Sequence, residues 1–392
     1  MDNFSIIHSI CRLSLDSATE SIKHQVVRLS EALECSGDVD NAKALRTLLA
    51  SADRHQALAP RRLVPSKASP SLPGEQLLPS TQLPADRETG VRLLDVTFPD
   101  PALLQPHMPA PLERALKMLT SEWEHAADLA TVGSAPAMSC LLTGAPGTGK
   151  TTLALWLGAQ LGLPVLTARV DAMMSSFLGT TSRNIAQVFQ FANRFRCILL
   201  LDEFDSLAKL RDDPNEVGEI KRVVNALLQN LDVRSSTGIT IGVTNHPKLL
   251  DPAVWRRFTA QIEVPLPNAE AREAIISRYE HPIEIKPAVK RFLVLITEGA
   301  SGAEIETIVN LYKKRSVLRP MPTSPIECLR DIAYLNSGRL SADVRTLLLR
   351  DDADVAKWAR HRHSRFTLVE LGAIFDKSKS AVARWVDEPV AN

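Results

Sequence analysis

The stretch Gly144-Ala145-Pro146-Gly147-Thr148-Gly149-Lys150-Thr151 constrains this chain more than any other. It reads G-x-x-x-x-G-K-[ST] without a mismatch. The apolar run Cys140-Leu141-Leu142 precedes it, and Thr152-Leu153-Ala154-Leu155-Trp156-Leu157 follows as a helix-forming run. A strand that feeds a glycine-rich turn and then a helix is the context of a phosphate cradle. Glycines let backbone N–H groups converge on phosphate oxygens, and the helix N-terminus adds its positive end. In such a loop Lys150 reaches the β- and γ-phosphates and the Thr151 hydroxyl ligates Mg²⁺. ATP and Mg²⁺ are therefore the expected cofactors, with residues 144–151 and Thr152 around the phosphates. A glycine turn that binds nothing is the competing reading, and companion motifs decide between the two.

From about 96 to 268 short apolar runs alternate with helical periods. Cys140 to Thr143, Pro164 to Val170, Cys197 to Leu201, Ile239 to Thr244 and Gln261 to Val264 read as buried strands. Between them Ile220, Val223, Val224, Leu227, Leu228 and Leu231 give one helical face. Such alternation predicts an α/β fold, a parallel sheet with helices on both sides, and a ligand at the carboxyl ends of the strands. Ile198-Leu199-Leu200-Leu201 runs directly into Asp202-Glu203. Four aliphatics bury the strand, so both acids emerge beside the phosphates. Asp202 is then placed to hold Mg²⁺ and Glu203 to orient and deprotonate the attacking water. A solvated acidic turn is the alternative for the pair taken alone.

The glycine loop, Asp202-Glu203, Thr244-Asn245 and Leu250-Asp251-Pro252-Ala253-Val254-Trp255-Arg256-Arg257-Phe258 together resemble the AAA family of ATPases. The resemblance spans roughly residues 110 to 315 and is closest to the branch of katanin-like and Vps4-like remodellers and small bacterial members. It implies that Asn245 senses the γ-phosphate. It also implies that Arg256 and Arg257 act on the ATP of a neighbouring subunit, which makes the protein an oligomer, by resemblance a hexamer. Phe177, Leu178 and Gly179 are similar to the first pore loop of protein-translocating rings, where Phe177 would grip a polypeptide. The acid usual after that glycine is replaced by Thr180. Residues 269–345 resemble the family's helical lid, and Gly299-Ala300-Ser301-Gly302-Ala303-Glu304 matches its sensor turn, with Ala303 where other branches carry arginine.

The flanks read differently. Residues 1–54 carry helical stripes (Ile22, Val26, Leu29 and Leu33, then Ala42, Leu45 and Leu49) broken at Ser36-Gly37-Asp38. This predicts a helical hairpin for docking or oligomerisation. Residues 55–95 are proline-rich and read as a semi-extended linker. Residues 346–392 contain two short helical periods around Asp376-Lys377-Ser378, with Leu371, Gly372, Phe375, Val382 and Trp385 as their inter-helix core. They resemble a helix-turn-helix, whose Lys377, Lys379, Ser380 and Arg384 would face duplex DNA.

A formal net charge of +1 excludes bulk-charge binding of polyanions, so any nucleic-acid surface is local. The five cysteines form no C-x-x-C pair, which argues against a zinc or disulfide framework. No apolar run approaches the roughly eighteen residues of a membrane span, and the reading is of a cytoplasmic protein without a membrane partner. Three functions stay open at this point. One is a ring that remodels a protein substrate and is recruited to DNA. Another is a DNA-binding regulator switched by ATP. The third is an unfoldase partner of a separately encoded protease.

Overall fold

Six short strands build one sheet in the computed structural model. They are β1 (Leu94–Thr97), β2 (Ser139–Thr143), β3 (Val165–Ala168), β4 (Ile198–Leu201), β5 (Ile239–Thr244) and β6 (Ala260–Glu263). The structure describes residues 26–27, 29–30, 33–34, 38, 41–47, 74–102, 106–173, 178–203, 217–234, 238–318, 324–335, 338, 340–361 and 366–387. The strand order is β1-β3-β4-β5-β2-β6. All neighbours run parallel except β1, which is antiparallel to β3 at one edge.

The sheet lies between α1 (Ala110–Glu124) and α2 (Lys150–Leu161) on one face and α3 (Leu178–Arg194) and α4 (Val217–Arg234) on the other. Successive strand residues point to opposite faces. Cys140, Leu142, Ile198 and Leu200 accordingly join the α1/α2 layer, while Leu141, Leu199 and Leu201 join the α3/α4 layer. Burial on both faces is why these strands are continuous aliphatic runs rather than alternating ones. Each such side chain contributes about 1.5–3 kcal/mol by leaving water.

The sheet begins earlier than its apolar runs suggest. Residues 74–95 were expected within a proline-rich linker, but Leu77, Leu93 and Leu94 are buried in the α3/α4 layer, and Leu94 opens β1. Proline density misleads here because the segment makes few ladder bonds. It is held by isolated bridges, Glu75 to Phe195 and Ala85 to Arg92, and by a buried polar clamp. In that clamp the Asp86 carboxylate accepts from the N–H groups of Glu88 and Thr89, both at 2.8 Å, and from Asn184 Nδ2 on α3 at 2.6 Å. Residues 55–73 lie outside the described residues.

Beyond the sheet the chain is helical. The helices are α5 (Ala269–Tyr279), α6 (Pro287–Ile296), α7 (Gly302–Leu318), α8 (Pro325–Leu335), α9 (Ala342–Leu348), α10 (Asp352–His361), α11 (Leu368–Phe375) and α12 (Lys379–Asp387). The boundary expected at 345/346 is not a boundary of packing. One apolar core runs from Ile276 on α5 through Phe292 on α6 and Ile305 on α7 to Leu371, Ile374 and Val382 on the last two helices. Phe292 sits edge-on to Trp358 at 6.5 Å and to Phe366 at 6.0 Å. Arg291 lies 4.9 Å over the Phe366 ring and pairs with Glu370. The physical reason is length: isolated helices shorter than about 12–15 residues are marginal in water, so α11 and α12 are stabilised by docking on the lid.

Residues 1–67 form a separate compact unit. Its described residues 26–27, 29–30, 33–34 and 41–47 are helical, with Asp38 between the two groups. Val26, Leu33, Ala42 and Leu45 are buried, and Glu34 pairs with Arg46.

Candidate functional site

Because β2 ends at Thr143 and α2 starts at Lys150, the glycine loop spans the gap between them. Gly144, Gly147 and Gly149 adopt φ of 147°, 75° and 90°, a region that side-chain-bearing residues avoid. Two of them are also crowded. A Cβ on Gly144 would stand 2.4 Å from the Val264 carbonyl oxygen, and one on Gly147 would stand 2.8 Å from Ser301 Oγ. The second contact brings in the lid. Ser301 caps α7 in a reciprocal pairing with Glu304, and the Ala303 N–H donates to the Gly147 carbonyl at 3.2 Å.

Inside the loop the Lys150 ammonium donates to the Gly144 and Ala145 carbonyls at 2.9 and 2.7 Å. The Thr151 hydroxyl donates to Asp202 Oδ2 at 2.8 Å, which joins the first turn of α2 to the end of β4. The other carboxylate oxygen of Asp202 accepts the Glu203 N–H at 2.9 Å. Glu203 itself has φ of 52°, a conformation that costs a residue with a Cβ about 1–2 kcal/mol and that recurs at functional sites.

Gly147, Gly149, Lys150, Thr151, Asp202 and Glu203 line a cleft of about 430 Å³ together with Pro146, Thr148, Thr152 and Asn245, whereas Gly144 and Ala145 are not in its lining. The carboxyl ends of β2, β4 and β5 therefore deliver the loop, the acids and the asparagine to one place. The donor set suits a magnesium nucleotide. Loop N–H groups and an ammonium suit phosphates, and a hydroxyl beside a carboxylate supplies the hard oxygens that Mg²⁺ prefers. Among the described residues no group of three or more His, Cys, Asp or Glu side chains is placed to hold a metal.

Arg256 and Arg257 are exposed and do not line this cleft. Their backbone is nonetheless rigidly set. Asp251 caps the preceding turn by accepting from the Ala253 N–H, and Ser139 Oγ donates to the Arg257 carbonyl at 2.7 Å. Phe258 is buried against Gly242 of β5, where a Cβ would stand 2.8 Å from its ring. Arg257 pairs with Asp232 at 2.6 Å. Phe177 lies outside the described residues. Leu178 and Gly179, expected in a loop, form the start of α3, since Thr180-Thr181-Ser182 contains no helix breaker.

At the far end of the chain, α11 opens with a Thr367–Glu370 capping box and closes on Asp376 at φ of 53°. Phe375 and Trp385 meet edge-on at 5.6 Å across the turn. Gly372 is required there, because its Cβ would stand 2.7 Å from the Lys377 carbonyl oxygen. Lys377, Lys379, Ser380 and Arg384 are all exposed.

Sequence reasoning missed the lid wall of the cleft, where Arg278 and Tyr279 of α5 and Glu306 of α7 face the loop. The available signal was spacing, since Glu306 stands one helical turn beyond Ala303.

The AAA family, "ATPase family associated with various cellular activities", matches residues 140–266. An uncharacterized AAA family ATPase, y4kL, of Sinorhizobium fredii is 38% identical over 201 residues, 50% of this chain and 59% of that protein. Fidgetin-like protein 1 of Drosophila melanogaster is 32% identical over 209 residues, 52% of this chain and 40% of its own length. The proteasome-activating nucleotidase of Thermococcus onnurineus is 33% identical over 184 residues, 45% and 46% of the two chains. The chain thus spans about half the length of the curated relatives it matches.

Proposed function

The chain carries an AAA-family ATPase domain, and we propose that it hydrolyses ATP in an oligomeric ring to remodel or unfold a protein substrate. The observation that carries this reading is how the site is divided. Thr151, Asp202, Glu203 and Asn245 meet in one cleft, while Arg256 and Arg257 are rigidly mounted and exposed outside it. A site arranged in this way is completed by a second copy.

In this reading Lys150 binds the β- and γ-phosphates, and Glu203 takes the proton of the attacking water. Asn245 contacts the γ-phosphate. Mg²⁺, held by Thr151 and Asp202, would neutralise charge on the phosphate oxygens. The neighbour's Arg256 and Arg257 stabilise transition-state charge, a contribution worth about 10³–10⁵ in rate where an arginine is supplied in trans. Phe177, with Leu178 and Gly179, grips the substrate chain. A hexamer is the assembly the resemblance favours. The relatives named for proteasome activation favour a separately encoded protease as one destination of the unfolded chain.

A second reading is favoured by the last two helices. Lys377, Lys379 and Arg384 make no side-chain hydrogen bond or ion pair among the described residues, and Ser380 bonds only its neighbour Ser378, at 3.1 Å. Lys377 in the turn and Lys379 and Arg384 on α12 are exposed cations, and such a group suits a phosphate backbone. Duplex DNA would then recruit the ring, or ATP would switch a DNA-binding assembly.

The test is ATP turnover per subunit across protein concentration, with and without duplex DNA. A rate that rises with concentration supports a site shared between copies, and a further rise with DNA supports recruitment. A rate per subunit that ignores concentration down to full dissociation refutes the shared site. Indifference to DNA removes the second reading alone.

A further inference from the structure

Three carboxylates face the cleft: Asp202 and Glu203 at the end of β4, and Glu306 on α7. The first two stand beside the phosphate loop. Glu306 does not, and its position calls for a different counterpart. A carboxylate repels a triphosphate, so the group it meets in a bound nucleotide must be a hydrogen-bond donor. Walls formed by Met108, Leu112, Val264 and Ile275 are apolar and accept a flat base, which leaves few polar partners on that side.

The distance along α7 narrows the choice. Ala303 donates its N–H to Gly147 in the phosphate loop, and Glu306 follows one turn later, about 5 Å along the helix axis. In a nucleotide whose phosphates occupy the loop, the ribose lies at that remove and the base lies farther out. Tyr279 lines the cleft together with Glu306, its phenol pushed up by burial and by the nearby Glu306 carboxylate, and the Arg278 guanidinium lies 6.0 Å over the Tyr279 ring.

We propose that Glu306 recognises the ribose of the bound nucleotide, its carboxylate accepting from the 2′- and 3′-hydroxyls while Tyr279 acts as its positioning residue. This rests on the reading of the cleft as an ATP site. An acid that accepts from ribose hydroxyls is a recurrent solution in nucleotide-binding folds. It also discriminates well, because a group built to bind a hydroxyl is left unpaired by an analogue that lacks it.

The experiment is equilibrium binding of ATP, 2′-deoxyATP and 3′-deoxyATP to the full-length chain and to the Glu306→Ala and Tyr279→Phe variants. Wild type should favour ATP over at least one deoxy analogue by roughly ten-fold or more, the scale of a hydrogen bond to a charged group. Glu306→Ala should erase that preference by weakening ATP while leaving deoxyATP affinity unchanged. Tyr279→Phe keeps the ring and should move the ratio part of the way. Equal affinities in wild type, or a preference that survives Glu306→Ala, would overturn the ribose assignment and leave the ATP site standing. No binding of any of the three nucleotides would overturn both.

Discussion

Replacing Phe292 with alanine tests whether the lid and the last two helices share one core. Phe292 is fully buried on α6 and meets Trp358 of α10 and Phe366 just before α11. A Phe→Ala change in such a place costs about 3–5 kcal/mol, the lost transfer energy plus the cavity. Its two edge-on ring contacts account for about 0.5–1.5 kcal/mol each within that sum. Whole domains are stable by only about 5–15 kcal/mol. A loss near 4 kcal/mol therefore brings opening of the helical region close to the populated range. Native-state hydrogen exchange reads this directly. Amides in α6, α7, α11 and α12 should lose about three decades of protection together, at about 1.4 kcal/mol per decade. Amides in β4 and β5, which lie in other cores, should lose far less. If α11 and α12 keep their protection while α6 loses it, the shared-core argument is wrong and residues 346–392 are an independent unit.

Glu203→Gln should retain nucleotide binding and lose turnover, as should Arg256→Ala. A mixture of the two should regain part of the activity, since each subunit supplies what the other lacks, and no recovery on mixing would count against a shared site. Asp86 should give the turn at 84–92 a pH dependence of known sign. The Thr89 N–H and then the Asn184 amide hold its carboxyl down at about 2, below the ordinary 3.8. The stabilisation is therefore complete above pH 4 and fades as pH falls from 4 towards 2. Exchange of the Thr89 amide across that window measures it, and Asp86→Asn should flatten the profile. Gly372→Ala, with its Cβ 2.7 Å from the Lys377 carbonyl oxygen, should lower the melting temperature and loosen the α11–α12 turn, whereas Gly338→Ala, with nothing near its Cβ, should not.

Much of the sheet was legible because doubly buried strands leave an unmistakable signature. Ile198 to Leu201 must be aliphatic at every position, and the acids that follow must then surface at the strand end. The glycine loop was legible for the same reason, since its residue types follow from backbone angles. The two short helices around Asp376 were readable from Leu371, Phe375 and Val382, although not their merger with the lid. That merger depends on Phe292 meeting Trp358 and Phe366, which lie far along the chain from it and carry no shared period with it. The clamp of Asp86 on Asn184 was hidden similarly, because a buried carboxylate in a proline-rich stretch looks like a solvated one. The lid wall of the cleft was missed because Tyr279 and Glu306 sit on different helices and meet only after folding.

The Lys150 ammonium bonds the Gly144 and Ala145 carbonyls, and this makes the loop self-sealing. A cation left bare in a half-closed cleft would demand an anion. This one is already solvated by its own backbone. Any anion that reaches Lys150 therefore competes with two carbonyls for the ammonium instead of meeting a bare charge. The lysine's attraction for a phosphate is accordingly smaller than its full charge suggests, because exchanging one hydrogen-bond partner for another gains only the difference between them.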